Sequence, residues 1–443
     1  MSETSGRTSR ATAALLFGMG GLFFAKAVYR AMAYSAGDFY NTLPGEYARR
    51  WNPVLWNSPD LQPAIAYSNG AYLYGPTQYL TLFPIVFLDS YRSIAIALLV
   101  VYPIVLLAAW YVLWRMLAAG EPKHPIVSGA VFVTMFAFLP LAQTLIQREF
   151  EVVGFFLLIV ACAAFARGRD TASGAALAAL AWFKYWPVVL LGAFVVHWRW
   201  RGLAAFVVAS ALLLGAAHLT FGLEHFRIGE TTSIVQGLLR PLGGGEKLYA
   251  VIERGAAKSD FCRQWIWGRA TQAEIRWALC GVEDRRPALS AKAIFYTLII
   301  VTGALFVWGA YRVESHGVEA ALTKWAAIWE LSILTIAGVA FLHAHYYYYI
   351  VFLLPLSALL YWYVTSAQPW RKTKVALWLA TYVLVNALIV PTTWLTTWLK
   401  RDAMDFYLNS SLCLLGTLML LGLVLWEFST LPLARRSVAR TAA

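Results

Sequence analysis

The side chains able to move a proton or hold an anion sit in short polar turns between long apolar runs. Asp38, in Gly37-Asp38-Phe39-Tyr40, follows the first such run. A carboxylate in a partly dry cleft gains proton affinity and can take the proton of an attacking hydroxyl; in headgroup water the same residue is only a solvated helix flank. Gln147-Arg148-Glu149-Phe150-Glu151 puts Arg148, Glu149 and Glu151 in one turn. That is either a local Arg–Glu pair of small energetic consequence or a guanidinium whose planar fork suits a lipid-linked phosphate. In Phe183-Lys184-Tyr185-Trp186-Pro187 an isolated ammonium precedes a helix-breaking proline. It either snorkels to the interface or neutralises a phosphate leaving group.

The stretch His343-Ala344-His345-Tyr346 opens a run of tyrosines. A metal would need further ligands, and no Cys or carboxylate is close in sequence, so no metal or other cofactor is expected. A histidine that orients or shares a proton with a carboxylate is the better reading. The segment from Gly45 to Pro76, including Tyr74, is rich in Trp, Tyr, Arg and Pro, which serve equally an interfacial belt and the stacking of sugar rings. Glu330 lies inside an apolar run, apart from this group, where it is expected to pair with a Lys or Arg on a neighbouring helix.

The elements that must position these turns are membrane helices. With 60% of 443 residues hydrophobic and 13% charged, the chain is far from the ~25% charged usage of soluble domains. The apolar runs predict an all-α polytopic protein of about 12 crossings, near 12–32, 93–117, 126–143, 152–167, 172–183, 186–197, 203–221, 291–311, 323–342, 347–364, 375–396 and 407–428. The two runs around Lys184 are short for crossings, so they extend into their flanks or form a broken hairpin. Gly75–Ser90 reads as re-entrant or interfacial. The net charge of +13 comes from Lys and Arg at run ends, without the continuous basic stripe of a nucleic-acid binder. Those residues, among them Arg115, Lys123, Arg199, Arg201, Arg371, Lys372 and Lys374, fall on one side, which the positive-inside rule assigns to the cytoplasm. Both termini then lie inside, and the turns named above share the outer face with segments 34–92 and 222–290. Cys262 and Cys280 share the second of these segments, where an oxidising compartment would permit a disulfide. Walker, GxGxxG, GxSxG and HExxH motifs are absent.

In order, side and spacing, Gly37-Asp38-Phe39-Tyr40, Tyr74-Gly75-Pro76, Phe183-Lys184-Tyr185-Trp186-Pro187 and Ala344-His345-Tyr346 ahead of Pro355 resemble the motifs of the polyprenyl-phosphate-mannose-dependent mannosyltransferases of glycosyltransferase family 87, which have the GT-C fold. The resemblance implies a single GT-C membrane domain over 1–443, with interfacial helices in the first outer loop and acceptor recognition in the 222–290 loop. It implies an inverting transfer of a sugar, most readily mannose, from a polyprenyl phosphate to a lipid or glycan acceptor at the outer face of a bacterial-type inner membrane. Asp38 would be the base, His345 its partner and Lys184 a ligand of the donor phosphate. Arg148 joins them on charge and side alone, with His343, Tyr346, Glu149 and Tyr74 as accessory candidates. The rival readings are another lipid-linked sugar transferase or glycan polymerase, a transporter or flippase, and a scaffold. A transporter would keep its charges near the midplane and show related halves, and neither pattern is seen here.

Overall fold

The computed structural model describes residues 3–33, 76–82, 88, 91–121, 124–146, 149–184, 186–221, 289–319, 322–342, 346–366, 370–386 and 412–432. Asp38, Tyr74, Arg148, His343, His345, Cys262 and Cys280 lie outside the described residues, as do nearly all of 34–92 and 222–290. In chain order the α-helices are α1 (Glu3–Ala33), α2 (Pro76–Leu82), α3 (Tyr91–Leu117), α4 (Pro125–Phe136), α5 (Leu139–Ile146), α6 (Glu151–Ala166) and α7 (Asp170–Ala181). They continue as α8 (Leu191–Val196), α9 (Trp200–Phe221), α10 (Leu289–His316), α11 (Thr323–Ala337), α12 (Leu353–Thr365), α13 (Arg371–Val385) and α14 (Leu412–Ser429). Tighter 3₁₀ turns at Trp186–Leu190 and Tyr346–Phe352 lead into α8 and α12, and a π turn at Gly338–Leu342 ends α11.

The expected segments all contain helix, but they are of two kinds. Within the described residues five are long and apolar enough to cross a bilayer, at Ser9–Met32, Ile96–Leu117, Trp200–Thr220, Tyr296–His316 and Tyr348–Thr365. A bent α4–α5 pair makes up to six, and α6, Trp186–Val196 and Leu415–Ser429 are apolar but shorter. The long helices divide again by burial. In the span Tyr348–Thr365, 89% of residues are buried, against 17–28% in the other four. A helix apolar all round with its surface covered belongs to the centre of a bundle, and Leu353 to Tyr363 of α12 are buried without a break. The outer helices instead show Leu22 and Tyr29 of α1, Ile104 of α3, Leu219 of α9 and Ile300 of α10, each more than half exposed. Water would not tolerate so many contiguous apolar side chains, and lipid does. The protein is a polytopic helical membrane protein.

The segment expected as one span over 126–143 is broken. Pro140 in α5 has no N–H for the carbonyl of Phe136, and the chain bends by 54° between α4 and α5. A break inside a bundle leaves backbone groups that lipid cannot satisfy, so side chains must do it. α13 supplies them. Buried Asn386 accepts from Leu139 N–H at 2.5 Å and donates to the Ala137 carbonyl at 3.2 Å. Tyr382 Oη donates to the Thr134 carbonyl at 2.9 Å. The two runs around Lys184 take the broken form, α7 ending at Ala181 and the 3₁₀ turn beginning at Trp186.

Small residues let these pieces approach. A Cβ on Gly174 of α7 would come 2.1 Å from the Gly202 carbonyl oxygen of α9, and Ser173 Oγ donates to the Ala161 carbonyl of α6 at 2.8 Å. Lys374, counted above with the cytoplasmic basic flank, is buried instead. Its ammonium meets Glu427 of α14 at 2.7 Å, and Trp362 Nε1 of α12 donates to the same carboxylate at 2.8 Å. Glu330 also has a different partner from the one expected, since His197 Nε2 donates to it at 2.8 Å.

Candidate functional site

Lys184 is the centre of the described part of the site, and three features of the local sequence put it there. α7 ends at Ala181 and Lys184 N–H closes back on the Leu180 carbonyl at 3.1 Å, so the side chain leaves the helix at a turn. Phe183 seats its ring on Gly154 of α6, where a Cβ would come within 2.7 Å of Cε1; only glycine leaves that room. Beyond the turn Trp186 packs on Gly338, where a Cβ would lie 2.8 Å from the indole, so the π turn that ends α11 fits around the Lys184 segment.

The ammonium is buried, with 10% of its side chain exposed, so it does not snorkel to water. Glu151, the first residue of α6, faces Nζ at 3.1 Å with 5% of its own side chain exposed. Lys184 Nζ donates to Tyr348 Oη at 2.5 Å. Tyr348 comes from the 3₁₀ turn that follows His345, the turn whose chain also contains Tyr346. Glu149 is buried as well, and its charge acts on Lys184. The acidic turn therefore holds two buried glutamates. Its carboxylates turn inward, and Glu151 reaches a lysine on another element. Burial disfavours the charged lysine, but contact with Tyr348 and the charges of Glu151 and Glu149 outweigh it, so its proton is held more tightly than an ordinary lysine's.

Glu151, Lys184, Tyr348 and Phe183 line a cavity of about 10 Å³, on the order of one water molecule. Glu151 Oε2 is buried and has no hydrogen-bond partner among the described residues. The chain at Pro76–Thr77 reaches the neighbouring turn from another side. Pro76 ends the Tyr74-Gly75-Pro76 motif, and Thr77 N–H donates to the Trp182 carbonyl at 3.4 Å, two residues before Lys184. The described ends of separate sequence motifs thus meet at one lysine: Pro76-Thr77, Glu149–Glu151, Lys184 and the Tyr346–Tyr349 turn. Among the described residues no group of three or more His, Cys, Asp and Glu could hold a metal ion.

Sequence reasoning passed over two partners. Tyr348 was one of four adjacent tyrosines with nothing to single it out, and the 3₁₀ turn after His345 is what brings its hydroxyl to Lys184. His197 was hidden among Trp198, Arg199, Trp200 and Arg201 as a membrane-flanking residue. It lies in the turn after α8, between Glu314 of α10 at 3.0 Å from Nδ1 and Glu330 of α11 at 2.8 Å from Nε2. Two carboxylate acceptors on one ring require both nitrogens to donate, so His197 is an imidazolium. Burial and nearby Arg199 disfavour that charge, yet the hydrogen bonds to both glutamates and the charge of Glu330 outweigh them, and the proton affinity stands above the ordinary histidine value of 6.5.

No curated protein and no solved structure matches the chain. A family model does match, from residue 72 to residue 328, more than half of the sequence. The matched region contains Glu149, Glu151, Lys184 and His197; Asp38 lies before it and Tyr348 after it. On that match the chain belongs to glycosyltransferase family 87.

Proposed function

We propose that the protein transfers a sugar, most readily mannose, from a polyprenyl-phosphate donor to a lipid or glycan acceptor at the outer face of the membrane, with inversion at the anomeric carbon. The observation that carries this reading is the convergence of the outer turns on buried Lys184 beside Glu151 and Tyr348. A glycosyl phosphate already holds its activation energy. The protein has only to supply a base for the incoming hydroxyl and positive charge for the departing phosphate, without a metal or other cofactor. Lys184, with Arg148 from the adjacent acidic turn, is assigned to the phosphate, Asp38 to the base and His345 to orienting that base. The lipid-facing outer helices and buried centre suit a donor whose tail stays in the bilayer while its head reaches a protein-lined turn. The basic run ends put both termini in the cytoplasm, the GT-C fold is the architecture that fits, and segment 222–290 is assigned to acceptor choice.

The test is to incubate purified protein with labelled polyprenyl-phosphate sugars and membrane lipid extract and to look for a glycosylated product. Mannose is expected to transfer best, and Asp38→Asn is expected to abolish transfer while leaving donor binding intact. Near-normal turnover in Asp38→Asn would remove that residue from its role, and no transfer from any polyprenyl-phosphate sugar by the wild-type protein would remove the reading itself.

A further inference from the structure

Among the described groups the site holds two carboxylates and one ammonium before any donor arrives, and this bears on how a phosphate can enter. Lys184 already faces Glu151 at 3.1 Å, and Glu149, also buried, adds a second carboxylate whose charge reaches the same ammonium. Among the described residues the groups around Glu151 are Lys184 after α7, Tyr348 before α12, Glu149 on its own turn and Tyr102 of α3, which feels the charges of both glutamates. None of these but Lys184 is a cation. A phosphodiester, with one fixed negative charge, would meet a carboxylate a few ångströms from its oxygens. Like charges at that separation in a buried site do not both persist, and one of them takes a proton. A phosphodiester is too strong an acid to be the one.

Resting on the reading above, we propose that Glu151 takes up a proton when the donor phosphate binds at Lys184, and returns it to the phosphate as the sugar leaves. Glu151 Oε2, buried without a hydrogen-bond partner among the described residues on a side chain that lines the same cavity as Lys184, is the atom that carries it. Once protonated, that oxygen changes from acceptor to donor and can bond a phosphate oxygen. In the transfer, the bond between the anomeric carbon and the phosphate oxygen breaks and its electron pair stays with the phosphate. The acceptor hydroxyl oxygen forms the new bond to the anomeric carbon and loses its proton to the base. The phosphate gains a second negative charge, and the Glu151 proton neutralises it, so the product leaves as a monoanionic monoester. Glu151, now a carboxylate, closes on Lys184 again, which is the pairing seen here. The structure is then the resting state at both ends of the cycle, and the proton balance closes with the acceptor hydroxyl, the base, the phosphodiester and Glu151.

The first test needs no turnover and no variant. A polyprenyl methyl phosphodiester, which does not titrate near neutral pH, is bound to the wild-type protein by calorimetry in two buffers of different ionisation enthalpy. Uptake of about one proton per molecule bound is expected. Binding without proton uptake overturns the proposal, while failure of the phosphodiester to bind at all overturns both it and the donor reading. The second test is Glu151→Gln, assayed at a temperature where its folding is verified by size exclusion. The wild-type rate is expected to fall on the alkaline side as Glu151 loses its proton. Glu151→Gln should remove that limb and lower kcat by ~10²–10⁴-fold, the usual share of a positioned acid, without raising the donor KM. A variant with wild-type kcat and the same alkaline limb would leave Glu151 a structural partner of Lys184 and sink the proposal. In that event the polyprenyl-phosphate reading would still stand on the wild-type product.

Discussion

Replacing Lys184 by Met tests whether the lysine serves the fold, the donor or both, because the structure separates the two costs. At 3.1 Å and an effective dielectric constant of about 20, the attraction between Lys184 and Glu151 is about 5 kcal/mol. Most of that is offset by removing both charges from water, so the intact pair contributes little net stability. Breaking it is different. Lys184→Met leaves the Glu151 carboxylate buried without the ammonium at its side and should cost about 3–5 kcal/mol, and Glu151→Gln should cost less because the charge of Glu149 still acts on Lys184. The double variant Lys184→Met/Glu151→Gln removes both charges, keeps the shapes close to native and should recover most of that loss, a coupling of several kcal/mol in a double-mutant cycle. Donor binding should not recover, since the cation for the phosphate is gone. Thermal unfolding followed by intrinsic Trp fluorescence in detergent gives the first quantity, and binding of a polyprenyl phosphate to the same samples gives the second. If the double variant is as unstable as the singles, the pair is not the buried unit described here. If it is stable and binds donor with wild-type affinity, Lys184 is not a phosphate ligand.

Other expectations follow from the same structure. His197 has a raised proton affinity, so the stability its clasp of Glu314 and Glu330 contributes is complete below about pH 6.5, the unfolded histidine value, and is lost as pH rises through the higher folded value. Unfolding midpoints should therefore drop across that window, and Glu330→Gln should flatten the dependence; a wild-type profile with no slope there contradicts the imidazolium. Asn386→Leu leaves Leu139 N–H and the Ala137 carbonyl without their partner at the α4–α5 break, at about 1–3 kcal/mol for each buried group, and urea-induced unfolding in mild detergent would show it. Gly154→Leu should expel Phe183 from its seat and with it displace Lys184, lowering donor binding more than a helix substitution elsewhere on α6; unchanged binding would mean the Phe183 contact does not position the lysine.

Hydropathy made the helices legible, and the misreadings share a physical cause. A bilayer-length apolar window records how much chain can be buried, and it is blind to how the backbone runs within that length. Over 126–143 the window is satisfied, yet Pro140 was present in the sequence and is the reason for the break, a local signal that an averaged one overrode. Charges hide their partners in a different way. Lys374 follows Arg371 and Lys372 at a run end, but one helical residue can face inward while its neighbours face out, and its partner Glu427 is on α14.

The candidate site shows the limit more sharply. Lys184 stood out because an isolated ammonium beside an apolar run is expensive, and that argument needs only the residue itself. Glu151 stood in a turn with two other charges, and nothing in the sequence tied it to Lys184. What brings it to the distant lysine is direction. Glu151 is the first residue of α6, the helix that carries Gly154 one turn on, and the seat Gly154 provides for Phe183 brings the next residue, Lys184, to the start of the same helix. A glycine with no chemistry of its own is thus what makes a carboxylate and an ammonium neighbours. Reading a membrane enzyme from sequence therefore calls for weighing the small residues within one turn of each charge, because they determine which charges can meet.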